Sequence, residues 1–456
     1  MKRTIVTVSS RDIGGGAERT ARDLHRAYAA AGHDAWLAAG EVLRPGSSTR
    51  PIPNRDRRSA WAKAWMAAAD ALPQRGAGFR VARAMRTAVA EPNRWWRTRR
   101  GIEDFDFPGT PELTRLAGRT PDLLHLHNMH GGYFDLRCLP RLSAQVPTIV
   151  TMHDAWLLTG HCAHSLGCER WKAGCGECPA LWIYPAVARD ATAVNFRRKA
   201  AIYAASRVHV GVPSAWLAAQ VRESMLLPAV RDLRVIPHGV DVGTFSPGPG
   251  HERGEARRLL GLDPAQPMVL TSAAALRPRS WRDAETLRHA LRRLSGVAAG
   301  ARWIAIGEAG LDERIGAVTV ERRAAESDDR RMAQWYRAAD VYVHAARADT
   351  FPYMVIESLA CGTPVIGTAV GGIPEQIRGD ARHGTGGVMP AAATGILVRP
   401  ADAAALARAI AAFFAMESSD RATIGRNAAA DAATRFELRR QARAYMEWVD
   451  ELTGQP

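Results

Sequence analysis

The chain is predicted to be an α/β protein made of two doubly wound parallel sheets. Three observations predict this. At 456 residues it exceeds what one hydrophobic core normally supports. Short apolar runs alternate with helical patterns in two separate series, as parallel sheets require. The first run feeds a triple glycine and then a helix, the layout of an anion-binding turn.

The first series opens with a strand over Thr4–Val8, followed by Gly14-Gly15-Gly16-Ala17-Glu18. The next helix places Ala21, Leu24, Ala27 and Tyr28 at helical spacing and ends near Gly32. Ala35–Ala38, Leu123–His127, Thr148–Thr151 and Val208–Pro213 read as further buried strands, with a helix from Ser214. Met268–Ser272 starts the second series, continued by Arg302–Ile306, Val318–Val320, Val341–Val343, Val365–Ile366 and Ile396–Val398. The last helix, Glu437–Leu452, is amphipathic through Ala442, Tyr445, Met446 and Val449. Ala391–Thr394 reads as a loop. The resulting domains are Rossmann-like: 1–238, 239–434, and a terminal helix over 435–456.

A hydrophobic content of 47% and a charged content of 23% are those of an ordinary globular protein. No apolar run reaches membrane-spanning length. Met-Lys-Arg followed by Thr4–Val8 reads as a first strand, not as a signal-peptide core, so the cytoplasm is the expected compartment. The net charge of +15 is unevenly spread. Between Arg55 and Arg100 stand twelve basic and three acidic residues, together with Trp61, Trp65, Trp95 and Trp96. This helical insertion, about 51–105, suits an anionic membrane surface, at the inner face of the plasma membrane. The competing reading is a solvated insertion whose tryptophans pack on the domain beneath. No recognised nucleic-acid module occurs, so nucleic acid is not an expected partner.

The most informative stretch runs from Asp340 to Ile377. Strand Val341–Val343 leads to Asp349, and Pro352 opens a helix carrying Glu357 that Gly362 closes. Strand Pro364–Gly367 and the loop Gly371-Gly372-Ile373-Pro374-Glu375 follow. Asp349 and Glu357 thus form an acid-x7-acid pair between two strands. This block resembles the signature of retaining glycosyltransferases of family 4. It is similar to the Asp-x-x-Pro form found in a subset that assembles colanic-acid-like polysaccharides. The common form has Glu first and a glycine-rich turn where Pro352 stands here.

The resemblance implies a GT-B architecture, with two Rossmann-like domains facing across a cleft and Arg234–Asp241 as the hinge region. It implies a nucleotide-sugar donor (UDP-, GDP- or ADP-sugar) and a glycan or lipid-linked acceptor. It implies no cofactor or metal at the reacting centre, only front-face attack assisted by the leaving phosphate. Asp349 would sit beside the transferred sugar and Glu357 would hold the ribose hydroxyls, with Phe351 and Tyr353 also on the donor. Arg277 and Arg282, after the first strand of the second domain, are the diphosphate candidates, and Arg279 is a substitute for either. Gly15 and Gly16 match the family's first loop. His127, ending its strand beside Asn128, matches the histidine that meets the donor sugar; His125 reads as a core histidine. His153-Asp154 is read either as orienting an acceptor hydroxyl and taking its proton, or as a structural pair. Two rivals stand beside this function: a catalytically silent glycan-binding scaffold, and a sugar-nucleotide epimerase or phosphorylase on the same architecture.

Cys162, Cys168, Cys175 and Cys178 are spaced C-x5-C-x6-C-x2-C within a 153–179 insertion. That insertion is similar to one in the same family subset. Structural zinc on the four thiolates, disulfides and free core cysteines are all open readings, with His161 and His164 as spare ligands. Cys138 and Cys361 read as isolated core residues.

Overall fold

The computed structural model describes residues 1–73, 75–248, 253–277, 281–379 and 390–454. They form two compact units. Met1–Val212, Leu217–Val235 and the chain from Tyr445 make the first; Pro213–Trp216 and Ile236–Ala444 make the second.

In the first unit the strands are β1 (Thr4–Arg11), β2 (Asp34–Glu41), β3 (Thr49–Pro51), β4 (Leu123–His127), β5 (Thr148–Thr151), β6 (Val208–Val212) and β7 (Val230–Val235). They form one sheet in the order β3-β2-β1-β4-β5-β6-β7, parallel at every pairing. Strands covered on both faces read as continuous apolar runs, and Ile5, Val6, Leu123, Leu124 and Leu126 are accordingly fully buried. The helix Gly16–Ala30 buries Ala21, Leu24 and Tyr28, and Gly32 at φ +88° releases the chain after it. The strand order reverses between β1 and β4. Their C-terminal ends therefore flank a topological switch point, where an open α/β sheet leaves a crevice.

His125 is a core residue. Its Nδ1 meets the Tyr28 hydroxyl at 2.9 Å and its Nε2 meets Thr151 Oγ1 at 2.7 Å. Thr151 in turn meets the hydroxyl of Tyr445, at 2.8 Å. Tyr445, Trp448 and Val449 are the buried face of the terminal helix Leu438–Thr453.

The basic insertion is helical, as expected: Ala60–Asp70, Gly76–Ala84 continuing as a π turn Met85–Val89, and Pro92–Arg99. Arg58, nearly buried, bridges Glu91 and Asp106 at 2.6 Å each and fastens the insertion to the following loop.

In the second unit the strands are β8 (Met268–Ser272), β9 (Arg302–Gly307), β10 (Glu313–Ile315), β11 (Val318–Ala324), β12 (Val341–His344), β13 (Val365–Thr368) and β14 (Gly395–Val398). Their order is β10-β11-β9-β8-β12-β13-β14, and only β10 runs antiparallel to its neighbour. Alternate residues feed the two faces. Leu270, Ile304 and Tyr342 join one core layer, and Val269, Trp303, Val341 and Val343 join the other. A second reversal falls between β8 and β12. Among the described residues, no helix is long and apolar enough to cross a membrane.

Candidate functional site

In the second unit, the site is built at the β8–β12 switch point. The loop Trp281–Asp283 is pinned by its backbone to the segment after β12. Arg347 and Ala348 donate to the Trp281 carbonyl at 2.7 and 3.2 Å, and Asp283 donates to that of Ala345 at 3.1 Å. This holds the Arg282 guanidinium against the Asp349 carboxylate and the His344 ring. The side chains of Arg282 and Asp349 are only 13% and 12% exposed, so the pair is largely withdrawn from water. Arg is a donor only, so His344 Nε2 must accept from it. His344 Nδ1–H then donates to the Tyr342 hydroxyl at 3.0 Å, and that hydroxyl donates to Met354 Sδ at 3.5 Å. Burial and the Arg282 charge push His344 down to about 4, so it stays neutral as this arrangement requires. The structure thus brings Arg282 and Asp349 together, with His344 and Tyr342 as partners that the sequence reading did not name.

The glycine loop closes on the same acid. Gly372 N–H donates to the Asp349 carbonyl at 3.2 Å. A Cβ on Gly371, which sits at φ +56°, would lie 1.8 Å from that oxygen. Gly371→Ala should therefore displace Asp349 as well as strain the backbone. The expected loss is at least about 2 kcal/mol by chemical unfolding. An unchanged midpoint would mean the contact is slack.

The other expected donor residues are placed differently. Glu357 is 5% exposed, and one carboxylate oxygen accepts from the buried Tyr336 hydroxyl at 2.8 Å. Tyr353 begins the helix Tyr353–Ala360, whose N-terminus no side chain caps; Pro352 stands just before it, not within its first turn. The Tyr353 ring stacks on His238, 5.1 Å away and 7° from parallel. Phe351 is 3% exposed, and its ring packs edge-on against His238 and Phe436. Arg277 does not join Arg282. It is exposed and pairs with Glu308 at 2.8 Å, beyond the end of β9. Arg279 lies outside the described residues.

Burial also lowers His125 and His238 to about 3. Unfolded, these histidines and His344 would take up protons near pH 6.5. Folded, they resist until pH 3–4. Their contribution is intact above pH 6.5 and is lost as the pH falls through that value toward the folded values. At about 1.4 kcal/mol per pH unit, His344 alone removes up to about 3 kcal/mol. The urea midpoint should drop between pH 7.5 and pH 5. A flat midpoint would contradict the neutral, buried state of these rings.

In the first unit, the β1–β4 switch point gathers the other candidates. Gly15 is the N-cap of the helix Gly16–Ala30, with no side-chain cap. Glu18 in its first turn accepts from Ser10 Oγ, and a Cβ on Gly15 would reach 3.4 Å from the Glu18 carboxylate. His127 ends β4, fully buried. Its Nδ1 meets His153 Nε2 at 3.1 Å, and Tyr133 donates to its carbonyl at 2.6 Å. Asn128 follows at φ +46°, a left-handed turn that asparagine tolerates. Asp154 pairs with His130 Nε2 at 2.7 Å and accepts from the Trp156 amide at 2.9 Å. Burial would raise Asp154, but the His130 charge and hydrogen bond outweigh it and hold the carboxyl at about 2. His130 was not among the expected residues; its place three residues past a strand-end histidine was the available signal.

The four insertion cysteines line one small cavity with His161. The zinc reading does not fit their arrangement. Among the described residues no group of three or more His, Cys, Asp or Glu could hold a metal ion. Cys175 Sγ instead accepts from the Gly160 amide at 3.3 Å, and Cys178 Sγ lies 3.4 Å from His161 Nε2. All six cysteines are free, and burial raises Cys162 to about 12, so it is a thiol. Cys361 is a core residue; Cys138 is half-buried.

The sequence model described as "Glycosyltransferase Family 4" matches residues 14–244, and that described as "Glycosyl transferases group 1" matches 269–415. WcaC of Escherichia coli (strain K12), named as a colanic acid biosynthesis glycosyl transferase, is 28% identical over 275 residues, covering 56% of this chain and 61% of WcaC. The D-inositol 3-phosphate glycosyltransferase of Actinosynnema mirum is 34% identical over 158 residues, covering 32% of this chain and 37% of that protein. The chain thus spans less than two thirds of either relative. Among solved structures, sucrose-phosphate synthase from Thermosynechococcus elongatus superposes with a TM-score of 0.64 at 20% identity, over 99% of this chain and 100% of that one. Anabaena Alr3699/HepE in complex with UDP-glucose gives 0.60 at 18%, over 98% and 100%. These likenesses identify the fold as GT-B.

Proposed function

The chain belongs to glycosyltransferase family 4, and from that premise we propose that it moves a sugar from a nucleotide-sugar donor to a glycan or lipid-linked acceptor with retention of configuration. One observation carries the reading: Arg282, Asp349 and neutral His344 converge at the β8–β12 switch point. A donor diphosphate is a stronger and more extended anion than one carboxylate. On binding it takes the Arg282 fork from Asp349, and the released carboxylate accepts from the sugar hydroxyls. Arg282 then stabilises the charge that grows on the departing phosphate, which is where positioned cations lower the barrier. The leaving phosphate accepts the proton of the attacking hydroxyl, so the reaction needs no enzyme nucleophile and no metal. Glu357, fixed by Tyr336, holds the ribose. In the first unit, the open helix start at Gly15–Gly16, the His127–His153 pair and Asp154 with His130 are the residues proposed for sugar and acceptor recognition.

The HepE structures hold UDP-glucose, UDP, and UDP with glucose, which supports a nucleoside diphosphate sugar as donor. The WcaC likeness supports an acceptor in polysaccharide assembly. The test is nucleotide release from a panel of UDP-, GDP- and ADP-sugars in the presence of lipid-linked saccharides. Release from one donor, with the anomer of the product read by NMR as that of the donor, supports the reading. Inversion, or no release from any donor, overturns it.

A further inference from the structure

The insertion between β3 and β4 carries a groove that the proposed sugar transfer does not use. It is a cavity of about 760 Å³ in the first unit, formed by the helix Gly76–Ala84, the π turn and the helix Pro92–Arg99. Arg80, Arg83, Arg86, Arg94 and Arg99 line it, against two carboxylates, Glu91 and Asp104. Those two acids are engaged: Arg94 pairs with both at 2.5 Å, and Arg58 also holds Glu91. Arg86 is taken up by Asp70 at 2.7 Å. Arg80, Arg83 and Arg99 are exposed and have no carboxylate partner among the described residues. Arg80 and Arg83 stand three apart on one helix, so they share a face. Arg99 is held over the Trp95 ring, 5.0 Å from its centroid.

Two of these helices expose Val81 at 53%, Trp96 at 52% and Phe79 at 45%, and the preceding helix of the insertion, Ala60–Asp70, exposes Trp61 at 58%. A pocket for a soluble anion has no use for them. Basic side chains interleaved with exposed tryptophan and phenylalanine suit the headgroup layer of a bilayer, where the rings enter the acyl boundary and the arginines meet phosphates.

We propose that this groove docks the chain on an anionic bilayer, with Arg80, Arg83 and Arg99 taking lipid phosphates and Trp61, Phe79 and Trp96 meeting the interface.

The test is co-sedimentation of the full chain with phosphatidylcholine vesicles, with and without phosphatidylglycerol. Binding should require phosphatidylglycerol and weaken with added salt. The Arg80→Ala/Arg83→Ala/Arg99→Ala variant should bind on the order of 100-fold more weakly. Arg207→Ala/Arg222→Ala/Arg231→Ala, an equal charge loss elsewhere in the first unit, should weaken it much less. Trp61→Ala/Trp96→Ala should weaken vesicle binding too, which separates a bilayer from phosphate alone. Equal binding to both vesicle types, or equal losses in the two arginine variants, would overturn the proposal. So would the absence of binding to either vesicle type.

Discussion

Asp349→Ala should bind a nucleoside diphosphate more tightly than the parent and yet transfer sugar at least about 100-fold more slowly. The two effects have one cause. Without ligand, Arg282 is neutralised by Asp349 in a pair that is nearly nine-tenths withdrawn from water. A diphosphate must displace that carboxylate, and removing it spares the ligand that competition. The same carboxylate is the acceptor proposed for the sugar hydroxyls, and losing such a contact in the transition state lowers turnover by a factor of about 100 or more. Asp349→Asn keeps the shape but releases the charge, so it should also tighten binding. Isothermal calorimetry and nucleotide-release rates read the two halves separately. Weaker diphosphate binding in Asp349→Ala would mean that the acid supports Arg282 in place without competing for it.

The largest loss of stability is expected from Lys199→Met. Lys199 is fully buried. Its ammonium meets Glu103 at 3.0 Å, the carbonyls of Trp156 and Thr159 at 3.0 Å each, and the face of the Trp156 ring at 3.6 Å. Three donors thus satisfy three acceptors in a dry site. Burial lowers Lys199, but the Glu103 charge opposes that. Removing the ammonium leaves the Glu103 carboxylate, 8% exposed, without its counter-charge and orphans two carbonyls. Breaking one side of such a pair costs about 3–5 kcal/mol, and a fall in Tm of roughly 10 °C follows for a unit of this size. Trp156 and Thr159 open the cysteine insertion, so the loosened variant should also expose Cys162 to thiol reagents. Lys199→Met/Glu103→Leu should recover part of the loss, since no charge is then left buried. A Tm within a degree or two of the parent would show that water reaches the pair.

The sequence made both sheets legible because their strands are covered on two faces and read as unbroken apolar runs. β3 and β10 escaped because three residues at a sheet edge carry no pattern. β7 escaped because its residues are mostly half-exposed, and Arg234-Val235 resembled a hinge. Asp349, the glycine loop Gly371–Glu375 and the strand-end His127 were legible because each follows or ends a strand, where the chain must turn, and Glu357 because its helix starts just after a proline. What was not legible is who holds whom. Linear spacing suggested two arginines acting on one diphosphate, but Arg277 pairs with Glu308 while Arg282, five positions on, pairs with Asp349. Phe351, two residues past Asp349, turns its ring into the core against His238 and Phe436, a packing choice that linear spacing does not reveal. Cysteine spacing could not tell a metal knot from a cluster of free, half-buried thiols, because ligand geometry depends on how the loop folds back on itself.

The most direct measurement is the affinity of Arg282→Ala for UDP, GDP and ADP by calorimetry, beside Arg277→Ala and the parent chain. The parent should bind at least one of the three. Arg282→Ala should bind that nucleotide at least about 10-fold more weakly, as expected for a lost charge-assisted fork, while Arg277→Ala changes affinity much less. Equal affinity in Arg282→Ala and the parent would contradict a diphosphate site at the β8–β12 switch point.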